Sequence, residues 1–144
     1  MKLKDKIALV TGGGTGIGRA TVEMLVREGA TVVINGVDFV KTDANQYETK
    51  NIGGFTAAKN LAADLKAKGN EVMAAEADIT DANQIEAMVS QVVQTYGRLD
   101  ILVHVGGIII HKFAVETTEQ EWDGIINTNL KGTFLMNKSV IPQL

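Results

Sequence analysis

The stretch VTGGGTGIGRA, Val10 to Ala20, places five glycines between a short apolar run and the start of an amphipathic pattern. Ile7–Val10 is closed by these glycines, as expected of a strand covered on both faces. From Gly16 the period becomes helical, with Ile17, Thr21, Met24 and Leu25 on one face and Gly29 where a helix would stop. Two readings fit such a turn. It is either a tight turn that needs positive φ, or a cradle in which unpaired helix N–H groups and a positive dipole end meet an anion. Its position after the first strand of an alternating chain favours the cradle.

Working outward, the alternation continues. Thr31–Ile34 is brief and β-branched, a second strand. Ala58, Leu61, Ala62 and Leu65 mark a second helix that ends at Gly69, and Glu71–Ala75 reads as a third strand. Asp81-Ala-Asn-Gln84 has the spacing of a capping box ahead of Ile85, Met88, Val89, Val92, Val93 and Tyr96, the cleanest helical stripe in the chain. Ile101–Val105 is a fourth strand, and Thr118-Glu-Gln-Glu121 caps a last helix through Trp122, Ile125 and Ile126. The order β-α-β-α-β-α-β-α with right-handed crossovers predicts an α/β domain over 1–144, a doubly wound parallel sheet of strand order 3-2-1-4. One segment breaks the rhythm: an insertion at about 36–54, without a stable period, which is either a tolerated surface insertion or a functional loop.

Composition narrows the class of partner. The 144 residues suffice for one domain with a core. A net charge of −3 without a basic block argues against nucleic acid or an anionic membrane surface as partner. The chain has no cysteine, which excludes disulfides and thiolate metal sites; no metal site is expected, and a cytoplasmic location is allowed and expected. Lysines followed by Ile7–Val10 imitate a signal peptide, but four apolar residues are too few for a signal core or a membrane span.

The glycines discriminate between cradles. Gly13-x4-Gly18 is followed by Arg19 and Ala20, where a P-loop needs Lys and then Ser or Thr. The G-x-G-x-x-G spacing is also absent. What is present is Thr11-Gly12-x-x-x-Gly16-x-Gly18, joined by Ala77-Asp78-Ile79, Gly97-Arg98-Leu99-Asp100-Ile101-Leu102-Val103, Trp122-Asp123 and Asn129-Leu130-Lys131-Gly132-Thr133-Phe134. With these motifs in this order, from about Lys4 to Leu144, the chain resembles the short-chain dehydrogenase/reductase family. That resemblance implies a Rossmann-type fold, NAD or NADP as cofactor, and hydride transfer between nicotinamide and an alcohol or carbonyl substrate. It implies cofactor-binding roles for Gly12, Thr15, Gly16, Ile17, Gly18, Asp38, Asp78, Ile79, His104 and Gly106, with Asp78 and Ile79 at the adenine. It also implies a catalytic role for Asn129, holding a water in a proton relay; a homo-oligomer is expected from the exposed edge of the fourth strand. Spacing from Trp122 and Ile126 puts Asn129 on the buried helix face, where an unpaired amide would cost about 1–3 kcal/mol. An amide satisfying loose backbone groups at a helix kink is the other reading.

The chain departs from the family in three places. The fourth strand usually ends Asn-Asn-Ala-Gly and here reads His104-Val105-Gly106-Gly107; His104 replaces one amide hydrogen bond and Val105 none. A lone histidine at such a point is more often a structural hydrogen-bonder than a catalyst. The acid that meets the ribose 2′-OH in NAD users falls by register on Gly36, with Asp38 two residues later, while Thr15 and Val37 lack the charge of NADP users. Lys41 offers a charge for a 2′-phosphate, so NAD and NADP both remain open.

Third, the family's Ser, Tyr and Lys, with Lys four residues after Tyr, have no counterpart. Tyr47 is followed at that distance by Asn51 and Tyr96 by Asp100, and Ser90 and Ser139 lie on helices. The expectation is a chain that stops before a fifth strand and is inactive alone, with Ile101–Val105 and the Trp122–Leu144 helix exposed for self-association. The other readings are a noncatalytic dinucleotide-binding or regulatory protein, and a nonfunctional remnant or assembly module in which the glycines serve only as a turn.

Overall fold

The computed structural model describes residues 1–38 and 54–144. Most of the inserted segment, 39–53, with Lys41 and Tyr47, lies outside the described residues. Four parallel strands, β1 (Ile7–Thr11), β2 (Thr31–Gly36), β3 (Val72–Glu76) and β4 (Ile101–His104), pair in the order β3-β2-β1-β4. The 3-2-1-4 sheet is as the alternation predicts. Residues Ile7 to Val10 sit opposite Thr31 to Ile34, and Ala8 to Thr11 sit opposite Ile101 to His104.

Strand alternation divides the core into two layers. On one face Ile7, Leu9, Val33 and Ala75 pack on α3 (Ala82–Tyr96) and on a helical segment near the C-terminus, through Ile85, Met88, Val92, Met136 and Val140. On the other face Ala8, Val10, Val32, Ile34 and Val72 pack on α1 (Gly16–Arg27) and α2 (Gly54–Ala67). β1 is buried at all five positions, whereas β4, at the sheet edge, is half-buried at all four. Asp100 fixes the start of that edge: it accepts from Ile7 N–H at 2.9 Å and pairs with Arg98 and Lys6.

The buried face of α1 differs from expectation. Gly18, Val22 and Val26 are buried and Leu25 partly so, while Ile17 and Met24 are 77% and 62% exposed. The reason is steric. A Cβ on Gly18 would lie 2.0 Å from the Gly12 carbonyl oxygen, so the helix presses its glycine against the turn. The buried stripe then follows Gly18 at i+4 and i+8, whatever the size of the side chains elsewhere. The α2 and α3 stripes agree with the sequence reading.

The ends of the inserted segment touch. A Cβ on Gly36 would lie 2.4 Å from Gly54 O, so β2 ends where α2 begins. Asp38 then serves the first turn of α2, accepting from Thr56 N–H at 3.0 Å and Thr56 O–H at 2.8 Å.

At the C-terminal side, α4 (Glu119–Ile125) opens with a complete Thr118/Glu121 capping box and leads through a π-helical turn, Ile126–Lys131, into α5 (Gly132–Val140). The Asp81/Gln84 box is not reciprocal: Asp81 caps Asn83 N–H and Gln84 N–H, but the Gln84 amide oxygen accepts from Asp78 N–H instead.

Val22→Ala is expected to destabilise the fold by about 2 kcal/mol, from two lost methyl groups and a residual cavity. Met24→Ala should change stability by no more than about 0.5 kcal/mol. Urea denaturation of both variants checks the assignment of the buried face.

Candidate dinucleotide site

The site is built at the C-terminal ends of the parallel strands, where open α/β sheets bind ligands. Gly12 has φ +61° and lies so close to the β4 tip that a Cβ would meet Gly106 Cα and N, each at 3.0 Å. Gly13 N–H donates to Asn35 O at 3.0 Å, and Gly14 lies against Ala57 and Ala58 of α2. Gly16 has φ +53°, and a Cβ there would meet nothing within 4 Å. Gly12 and Gly18 are thus glycines because protein backbone abuts them. Gly16 is one because of its conformation, and it faces open space.

Among the described residues the α1 N-terminus is free of competing groups. Thr15 is the N-cap in extended conformation, makes no side-chain cap bond, and no acid occupies the first turn. The N–H groups of Gly16, Ile17 and Gly18 belong to that turn, with the positive end of the helix dipole behind them. Exposed Ile17 stands beside them. This arrangement fits an anionic group such as a pyrophosphate.

A second cluster surrounds the β4 tip. Thr11 Oγ1 is 2.9 Å from His104 Nδ1 and accepts from Val105 N–H and Gly106 N–H, each at 3.0 Å. His104 Nε2 is buried and has no protein partner among the described residues. Burial pushes the imidazole pKa below the usual histidine range. Ile79 Cδ1 would crowd a Cβ on Gly106 at 3.2 Å and one on Gly132 at 3.4 Å, which brings the β3–α3 loop onto the same tip. In that loop Asp78 accepts from Thr80 N–H and Thr80 O–H, both at 2.8 Å.

Asn129 corrects the reading of a buried helix face. It is exposed, and the buried positions are Glu121, Thr128, Gly132, Met136 and Val140. Trp122, from which the face was counted, is itself 60% exposed. Asn129 lies in the π turn and clasps the loop after β4: its Nδ2 donates to Ile108 O at 2.8 Å and its Oδ1 accepts from Ile108 N–H at 2.9 Å. The amide satisfies loose backbone groups, the structural alternative named for it. A Cβ on Gly107 would lie 3.0 Å from that Oδ1, so the clasp closes directly over the tip. The same loop is held further along by Lys112 Nζ on Glu121 Oε1 at 2.6 Å.

Gly12, Ile79, His104, Gly106 and Asn129 therefore converge on the β4 tip, with Thr15, Gly16, Ile17 and Gly18 along the adjoining turn. Asp38 belongs to a different neighbourhood, the entrance of α2. Its carboxylate is held below the usual range chiefly by the Thr56 N–H and hydroxyl. Sequence reasoning left Thr11, Thr56 and Ile108 without roles. Thr11 was within reach: the register sets a hydroxyl residue opposite His104 at the end of the central strand. No signal pointed to Ile108, whose part is played by its backbone. Among the described residues no three His, Cys, Asp or Glu side chains are grouped to hold a metal ion, and no helix is long and apolar enough to cross a membrane.

Comparison with known proteins agrees with this geometry. The short chain dehydrogenase profile matches residues 6–144. The chain belongs to the short-chain dehydrogenase family. It is 34% identical over 144 residues to a 3-oxoacyl-(acyl-carrier-protein) reductase of Thermotoga maritima, covering all of this chain and 52% of that protein. To the corresponding reductase of Staphylococcus aureus it is 36% identical over 139 residues, covering 96% of this chain and 50% of that one. The crystal structure of gox2181 superposes with a TM-score of 0.85 at 29% identity, covering 99% of this chain and 49% of that one. The chain spans about half the length of the curated relatives it matches.

Asn129→Ala should open the loop after β4 locally. Amide exchange at Ile108 is expected to accelerate by roughly tenfold, the equivalent of one net hydrogen bond, with little change at the β1 amides. Exchange measured by NMR decides it: unchanged protection at Ile108 would remove the clasp.

Proposed function

We propose that this chain forms the dinucleotide-binding part of an NAD(P)-dependent oxidoreductase that moves a hydride between nicotinamide and an alcohol or carbonyl substrate. The observation that carries the reading is the Gly12–Gly18 turn, where among the described residues Gly16 faces open space beside an α1 N-terminus that no side chain caps. When bound, the dinucleotide supplies the hydride-accepting and hydride-donating ring. The protein's part is to bind and orient it. Gly12, Thr15, Gly16, Ile17 and Gly18 would hold the pyrophosphate by N–H groups and dipole, Asp78 and Ile79 would border the adenine, and His104 and Gly106 would line the β4 side. Asp38, ionised and fixed at the end of β2, is available to a ribose hydroxyl, and NAD and NADP are both compatible with the site.

Asn129 would act through the loop it clasps, setting the wall above the β4 tip. The family's Ser-Tyr-Lys chemistry has no counterpart in this chain's residues, so binding without turnover is its own expected activity. The half-buried β4 edge, with Trp122, Leu130 and Phe134 exposed at 60%, 65% and 61%, supports self-association into a homo-oligomer. A cytoplasmic location is part of the same reading. The His104-Val105 tip favours a second reading, a noncatalytic dinucleotide-binding or regulatory protein, because both amides usual there are replaced.

Titration calorimetry with NADH and NADPH tests the cradle. At least one should bind, and Gly16→Asp should weaken it by roughly a hundredfold or more, because a carboxylate would enter the open space and repel the phosphates. Equal affinity of the wild type and Gly16→Asp would remove the pyrophosphate from this turn.

A further inference from the structure

The three bonds at the Thr11 hydroxyl fix the protonation of His104. Backbone N–H groups can only donate, so Val105 and Gly106 take both lone pairs of Thr11 Oγ1, each at 3.0 Å. The hydroxyl hydrogen is left for His104 Nδ1 at 2.9 Å, and Nδ1 must accept it. The ring proton of the neutral imidazole therefore sits on Nε2. A doubly protonated ring would aim an N–H at an oxygen with no lone pair to spare and leave the Thr11 hydrogen without its acceptor. Relief then requires Thr11 Oγ1 to release Val105 or Gly106, and Gly106 is the backbone that lies against Gly12.

We propose that His104 is a positioning residue: in its neutral, Nε2–H form it orients the Thr11 hydroxyl to clamp the Val105–Gly106 tip onto Gly12, and protonation of the ring loosens that clamp and weakens dinucleotide binding. This rests on the cradle reading of Gly12–Gly18 and adds to it a proton-sensitive hinge at the β4 tip.

The surroundings of the ring favour the neutral form. Strand alternation puts His104 on the same face as Leu102, Thr11 and Leu9, toward α3 and α5, and β1 (IALVT) brings no titratable group. The charged side chains of the elements on this face are Glu86 of α3, Lys131 of the π turn, Lys138 of α5, and Asp78 and Asp81 of the β3–α3 loop, Asp81 being turned to the Asn83 and Gln84 N–H groups; the phenol of Tyr96 on α3 is the other titratable group. Glu86, Lys131 and Lys138 are exposed, and Asp78 is turned to Thr80. Burial alone displaces the ionisation of His104, and it does so downward. The clamp is thus intact above the ordinary histidine range and opens as pH falls through the lowered value.

The test uses the whole chain labelled with 15N, which has only two histidines; His111→Gln identifies the His104 resonances. Imidazole 15N spectra and the Val105 and Gly106 amides are followed between about pH 8 and pH 5, beside NADH and NADPH titrations. The expected result is an Nε2–H tautomer at neutral pH whose ionisation moves both amides. The dissociation constant should rise roughly tenfold per pH unit below that ionisation, since only the clamped form binds. H104N offers Thr11 an acceptor that does not titrate, and H104L offers none. H104L should bind roughly tenfold more weakly at every pH, and H104N should recover affinity without the acid limb.

An Nδ1–H tautomer, amides that do not respond to His104 ionisation, or an acid limb that survives in H104N would each overturn the proposal. Failure of the wild type to bind either nucleotide at neutral pH would overturn the cradle reading instead. The two are told apart because the tautomer and the amides are read without ligand.

Discussion

Backbone pressed against backbone at the end of β1 is the constraint from which the rest of this structure follows. Gly18 can hold its place only because the Gly12 carbonyl meets a hydrogen where any other residue would carry a carbon, and Gly12 in turn lies on Gly106. The approach is closer than side-chain packing allows, so it is specified by the absence of Cβ atoms, not by hydrophobic area. It sets the phase of α1 and so decides which residues of that helix reach the core. It also sets the distance between the first turn and the β4 tip. The same contact explains why exposed Ile17 and Met24 cost little. The helix is anchored by its glycine face and by Val22 and Val26, and large apolar side chains on the other side add surface without loss of packing.

What the sequence makes legible divides along the same line. The strands, their 3-2-1-4 order and the α2 and α3 stripes follow from hydrophobic periodicity, because those elements are held by area buried on a regular face. The α1 face departs from the apolar pattern because steric approach at Gly18, not apolar size, decides its phase. Asn129 was misplaced for a related reason. Counting from Trp122 presumes a uniform α period and a buried tryptophan, and the helix has neither: it passes through a π turn at Ile126–Lys131 and leaves Trp122 in the open. The geometry shows what the Asn129 amide touches, a backbone pair at Ile108. Backbone partners of this kind carry no side-chain signature, so no pattern in the sequence identifies them.

The β4 tip joins these two kinds of information. Gly12 is required by its approach to the Gly106 backbone, whereas Thr11 and His104 are joined by strand register, so the cluster combines a steric requirement with a polar one. The His104 imidazole gives the Thr11 hydroxyl an acceptor and leaves that oxygen to serve two backbone donors. The ring's other nitrogen, Nε2, is buried without a protein partner among the described residues. A buried unpaired donor costs about 1–3 kcal/mol, and a charged ring in the same place would cost more, so burial favours the neutral imidazole. The link between the ends of β1 and β4 therefore has a hydrogen-bond pattern that depends on a proton, a change that acts on backbone and not on side-chain packing. That change falls on the strand end against which the first glycine of the cradle is packed.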